Sequence, residues 1–215
     1  MPEEDNISVL RVHGHGEVEV ALVVSFLNDL ENAYNSIAYF ETLSARLERD
    51  FRYLDEYRLF IDRRARMFGL NSFLDYNEEN TNFNKEAIAA SNTEPLVLER
   101  VKLTSPGYWD FIGKLNPLEV LRQYLNDRHE RRKDKNYKED AEARKLALQN
   151  LIRENEAISG RIKICREMGA TDADLAPTLK ALVAQPLSKL NRYQDLSVIE
   201  TTGIMRNGAD HKEKV

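Results

Sequence analysis

"NPLEVLRQYLNDRHERRKDKNYKEDAEARKLALQN", residues 116–150, opens with a strong helix-start signal and then runs on without a breaker. Asn116 supplies a capping side chain, Pro117 suits the first helical position, and Glu119 is the third-position acid that reaches back to a cap. No glycine or proline follows until Gly160. The pattern therefore predicts one helix over 116–168, about fifty residues and roughly 75 Å long. Its apolar content is uneven. Leu118, Leu121 and Leu125 form a base, and after a charged middle a stripe resumes at Leu148, Leu151, Asn155, Ile158, Ile162 and Cys165. Steps of three and four make this a heptad-like seam, with Asn155 at a core-type position where a polar residue fixes register and strand number. A seam at the far end of a projecting helix calls for a partner: a second copy, a helix folding back, or another protein.

The charged middle has a competing reading. Arg128, Arg131, Arg132, Lys133 and Lys135 concentrate positive charge on about two turns, as a nucleic-acid contact requires. Asp127, Glu130, Asp134, Glu139, Asp140 and Glu142 interleave with them, and Tyr137 is the one aromatic there for base stacking. With a net charge of -5 over 215 residues, the stretch reads first as a solvated helix or a charged partner surface, and nucleic-acid binding is the alternative.

Outward from this stretch, residues 7–12 form a β-branched run closed by Gly14 and Gly16, a strand and a turn. From about residue 17, Val20, Val23, Val24, Leu27, Leu30, Tyr34, Ile37 and Ala38 follow helical spacing, with a strand over 18–24 as the alternative. Leu43, Leu47, Phe51, Leu54, Ile61, Ala65 and Phe68 make the stripe of a second amphipathic helix ending at Gly69. Residues 71–94 read as an Asn-rich loop, with at most a short helix near 85–90. A hairpin over 96–113 turns at Pro106 and Gly107. After the long helix, Thr171 caps a helix in which Pro177 either makes a kink or marks the true first turn, a short helix spans 186–192, and 196–204 is β-prone. The expected fold is α+β and mainly α. A small sheet packs on two N-terminal helices in a body over 1–115, the long helix occupies 116–168, short helices and a β-prone segment fill 169–205, and 206–215 is a disordered tail.

Motifs for chemistry are weak. His13 and His15 could bind zinc, but no third ligand follows at a useful spacing. Ser105, Trp109 and Asp110 sit near a turn with only His129 to serve as a base, and nothing in the sequence sets their geometry. Glu99 and Lys102 faintly echo a metal-dependent nuclease, though ordinary edge-strand charge explains them better. Neither Gly-rich phosphate-loop pattern occurs. Cys165 reads as a small buried apolar residue. No catalytic residue, metal or cofactor is expected. The longest apolar run, 18–27, is too short to span a bilayer and contains Glu19. The acidic "MPEEDN" start and the single cysteine favour a cytoplasmic location.

The segment "LERVKLTSPGYWDFIGKLNPLEVLRQYLNDRHERRKDKNYKEDAEARKLALQN", with "LNDLENAYNSI", resembles a group of uncharacterised bacterial proteins in which an SPG-type turn precedes an NPLE-type helix start and a highly charged helix. The resemblance covers about a third of the chain. It implies a bacterial, cytosolic origin and brings no activity or site residues. The functional expectation is a non-enzymatic oligomerising adaptor or regulatory subunit of a larger assembly. In that role Leu148, Leu151, Asn155, Ile158 and Ile162 would serve as the helix-pairing seam, and Arg128, Arg131, Arg132, Lys133 and Lys135 as the charged surface.

Overall fold

The computed structural model describes residues 7–14, 18–56, 94–102, 104, 106–133 and 141–206. Strand β1 (Ile7–Gly14) leads into helix α1 (Val20–Glu56), and β2 (Val97–Lys102) and β3 (Gly107–Lys114) form the expected hairpin. Helices α2 (Leu115–Lys133), α3 (Ala141–Glu154), α4 (Glu156–Glu167) and α5 (Asp172–Leu179) follow. A π-helical segment (Lys180–Ala184), α6 (Gln185–Lys189) and α7 (Asn191–Asp195) then lead to β4 (Ile199–Arg206). The sheet is antiparallel throughout, in the order β2-β3-β1-β4. Strands β1 and β2 run the same way with β3 between them, which is the split βαβ arrangement of ferredoxin-like sheets. Here the second crossover is expanded into the run from α2 to α7. The α+β, mainly helical class read from the sequence is the one observed.

Period-two alternation assigns the two faces of the sheet. Leu10 and Val12 of β1 pair with Phe111 and Trp109 of β3, and all four are buried in the core. Against them lie Phe26, Leu30, Tyr34 and Ile37 of α1 and Leu118, Leu121 and Leu125 of α2. The Phe26 ring sits 5.7 Å from Trp109, 6.4 Å from Phe111 and 5.3 Å from Tyr193. Gly113 lets α1 approach the sheet, because a Cβ there would lie 2.8 Å from the Tyr34 ring. Tyr34 uses that closeness: its hydroxyl accepts from Lys114 N at 2.8 Å and donates to Glu94 O at 3.0 Å.

Three expectations are corrected. The two N-terminal helices are one helix of 37 residues up to Glu56, and the Ile61, Ala65 and Phe68 part of the second stripe falls outside the described residues. Helix α2 starts at Leu115, directly after β3, so Asn116 lies inside the first turn rather than before it. The single helix expected over 116–168 is instead three, α2, α3 and α4. Asn155 Nδ2 donates to Gln123 Oε1 at 3.1 Å, across thirty-two residues that one straight helix would spread over about 48 Å. Helix α2 ends at Lys133, and α3, from Ala141, packs back against α2. The physical reason is burial. Leu151, Ile158, Ile162 and Cys165 complete the core beside α1 and α2, whereas a projecting helix would leave them in water. The Asn-rich loop and the C-terminal tail lie almost wholly outside the described residues.

Candidate interaction surface

The seam residues are interior. Leu151 is 1% exposed, Ile158 and Ile162 are buried with it, and Leu148 packs half-buried against the same cluster. Asn155 does not occupy a heptad core position. Its φ of -81° and ψ of 110° interrupt the helix, and its Oδ1 accepts from Ile158 N at 3.1 Å as the cap of α4. Cys165 is buried and free, and burial pushes its thiol pKa up.

The basic turns are likewise largely consumed within the fold. Arg128 is 1% exposed. Its Nη1 donates to Asn191 O at 3.1 Å and Gln194 Oε1 at 3.2 Å, and its Nη2 to Asp195 Oδ1 at 2.8 Å. Arg132 donates to Gln194 O. Gln194 Nε2 in turn donates to Leu125 O at 2.8 Å and Glu200 O at 3.1 Å, and Tyr124 Oη to Asn191 Oδ1 at 2.7 Å. This network clamps α7 and the start of β4 onto α2. Arg131 is half-buried, Lys133 pairs with Glu130 at 2.6 Å on the surface, and Lys135 lies outside the described residues. The structure does not bring the five basic residues together as one exposed patch: Arg128 belongs to the interior.

The remaining chemical candidates are dispersed. Asp110 is buried and held by Arg11, Nε to Oδ1 at 2.8 Å and Nη2 to Oδ2 at 2.9 Å, in a cross-strand pair on the face of the sheet away from the core. His129 is on α2, which packs against the opposite face. Trp109 is core, and Ser105, His15 and His211 lie outside the described residues. His13 meets Tyr108 edge-on at 6.5 Å. Among the described residues no three His, Cys, Asp or Glu side chains are grouped as metal ligands, and no helix is long and apolar enough to cross a membrane.

One half-buried ionisable group stands out. Glu41 on α1 has an Oε1 that is enclosed and without a hydrogen-bond partner. Burial raises its pKa from the ordinary 4.5 to about 7, against the opposing pull of Arg161, Lys114 and Asn116. Arg161 is itself paired with Glu48 at 3.2 Å, and Lys114 with Glu94 at 3.9 Å.

The sequence gives little warning of the surface that stays open. Strand β2 is a sheet edge, and all six of its residues are exposed. On its core-side register Leu98 faces Phe111 and Val101 faces Trp109, yet both remain 42% exposed. On the other side Val97, opposite Ile112, is 49% exposed. A register shift between Leu98 and Arg100 leaves Glu99 unpaired with β3. Beyond β2, among the described residues, no strand satisfies its outward backbone groups. Around it on the face away from the core, Arg11 stacks 4.0 Å over the Tyr108 ring and Lys102 approaches it at 5.8 Å. An edge strand with apolar side chains on both faces offers a main-chain template and side-chain contacts together. The signal readable in the sequence was the alternation in "LVLERVKLT". No protein-family model, curated protein or solved structure matches this chain.

Proposed function

We propose that the protein is a non-enzymatic interaction protein, an adaptor or regulatory subunit, that joins another polypeptide by strand addition at β2. The observation that carries this reading is the exposure of Val97, Leu98 and Val101 on an edge that is unpaired among the described residues. Backbone pairing at such an edge supplies affinity, and alternate side chains supply selectivity. The helical seam no longer offers a partner surface, since its residues are covered by their own chain.

Hydrogen exchange on the full chain tests the reading. Amides of residues 97–102 become protected in the native assembly relative to the dilute protein, and Leu98→Lys with Val101→Lys removes that protection without altering the rest of the sheet. Unchanged exchange of these amides in the assembly overturns it.

A further inference from the structure

Resting on that strand-addition reading, we infer that the polypeptide added at β2 is a second copy of this chain, paired antiparallel about a two-fold axis between Glu99 and Arg100. The sequence of the edge is self-complementary in this register. Glu99 faces the partner's Arg100 and Arg100 the partner's Glu99, Leu98 faces Val101, and Val97 faces the Lys102 stem. Residues opposite one another in a ladder must point to the same side of the sheet. The register shift at Glu99 meets that demand. Leu98 and Val101, three positions apart, both take the core-side register through Phe111 and Trp109, and Val97 and Lys102 both take the outer one through Ile112 and Tyr108. Without the bulge, Leu98 and Val101 would lie on opposite faces, and the pairing would set an apolar side chain against a solvent-facing one.

A charged edge with a bulge is also how sheets avoid each other. That defence works through like charges set opposite one another. Here the two central charges have opposite signs and adjacent positions, so antiparallel self-pairing places each against its complement twice. Pairing joins two four-stranded sheets into one of eight strands and covers Leu98 and Val101 of both copies. The ladder is only about 20 Å long at 3.3–3.4 Å per residue, so a concentration-dependent dimer is expected.

Sedimentation equilibrium of the full chain across micromolar to millimolar concentrations decides it. Wild type forms dimers. Glu99→Arg alone and Arg100→Glu alone each set two like-charge pairs across the axis and weaken association by roughly tenfold. The double variant recovers dimerisation, and so does an equimolar mixture of the two single variants, which forms the heterodimer. Because Arg100→Glu also changes the neighbourhood of Asp110 in the double variant, recovery there reports the facing pair and not the strand's own stability; melting curves of all four proteins serve as the folding control. A wild type that stays monomeric, or a double variant and mixture no tighter than the singles, overturns the homodimer. If residues 97–102 are still protected in the native assembly, strand addition stands with a different partner.

Discussion

Gln123 Oε1 accepts a hydrogen bond from Asn155 Nδ2 at 3.1 Å, and that one contact settles how the helical half of the molecule is folded. It ties the third turn of α2 to the junction of α3 and α4. The same Asn155 side chain uses its oxygen to cap α4. One residue thus ends a helix, starts the next and fixes the return of the chain.

Replacing Asn155 with Leu separates the cap from the heptad reading. At a coiled-coil core position Leu raises stability by removing a buried amide. As the cap of α4 its loss leaves the Ile158 N–H buried and unpaired, a cost of about 1–2 kcal/mol. Urea unfolding is expected to show a lower midpoint for Asn155→Leu, and a higher one would restore the seam.

Leu151 and Leu146 lie on the same helix in opposite environments, 1% and 59% exposed. Leu151→Asp puts an unpaired carboxylate into the core and is expected to cost about 4 kcal/mol or more, enough to unfold a domain of ordinary stability. Leu146→Asp stays within about 0.5 kcal/mol. The readout is the circular-dichroism melt of each variant. A folded Leu151→Asp protein with only its self-association changed would mean that this face is external.

How much of this was legible follows from what each segment buries. The hairpin, the capping box at Thr171 and Asp174, and the strand at residue 199 announce themselves through alternation, turn residues and caps, which act locally. The return of α3 onto α2 leaves no local mark. Charged residues there have good helix propensity and contain no Gly or Pro, so propensity argues for continuation, while the decision is made by Leu151, Ile158 and Ile162 reaching the core from far along the chain. Arg128 goes to the interior for a related reason. Its sequence neighbours are charged, and only the fold reveals that Asn191, Gln194 and Asp195 wait for it sixty-odd residues later. The open edge at β2 was visible as a strand, but which strand ends a sheet is set by topology.

Arg128→Met keeps much of the side-chain volume and removes the clamp. It leaves the Asn191 carbonyl and Gln194 Oε1 short of a donor, so a loss of about 2–4 kcal/mol is expected, against about 1 kcal/mol for Arg132→Met, whose side chain is 36% exposed. Guanidinium unfolding of the two variants side by side measures the difference. Equal, small effects would place Arg128 on the surface after all.

Glu41 gives the protein a pH dependence opposite in sign to the usual carboxylate effect. Its folded pKa of about 7 lies above the ordinary 4.5, so between those values the folded chain holds a proton that the unfolded chain releases. Stability is then fully present below about pH 4.5, falls as pH rises through the window, and levels off above about pH 7. A shift of that size corresponds to about 3 kcal/mol, the difference of the two pKa values at about 1.4 kcal/mol per unit. Glu41→Gln carries no titrating group and removes this contribution. The variant is expected to match or fall slightly below wild type at pH 5 and to exceed it at pH 8, with a flatter slope in between. Urea midpoints at pH 5, 6, 7 and 8 for both proteins provide the check. Parallel slopes would show that the enclosed Oε1 keeps its charge, held by Arg161 and Lys114 more strongly than burial opposes it.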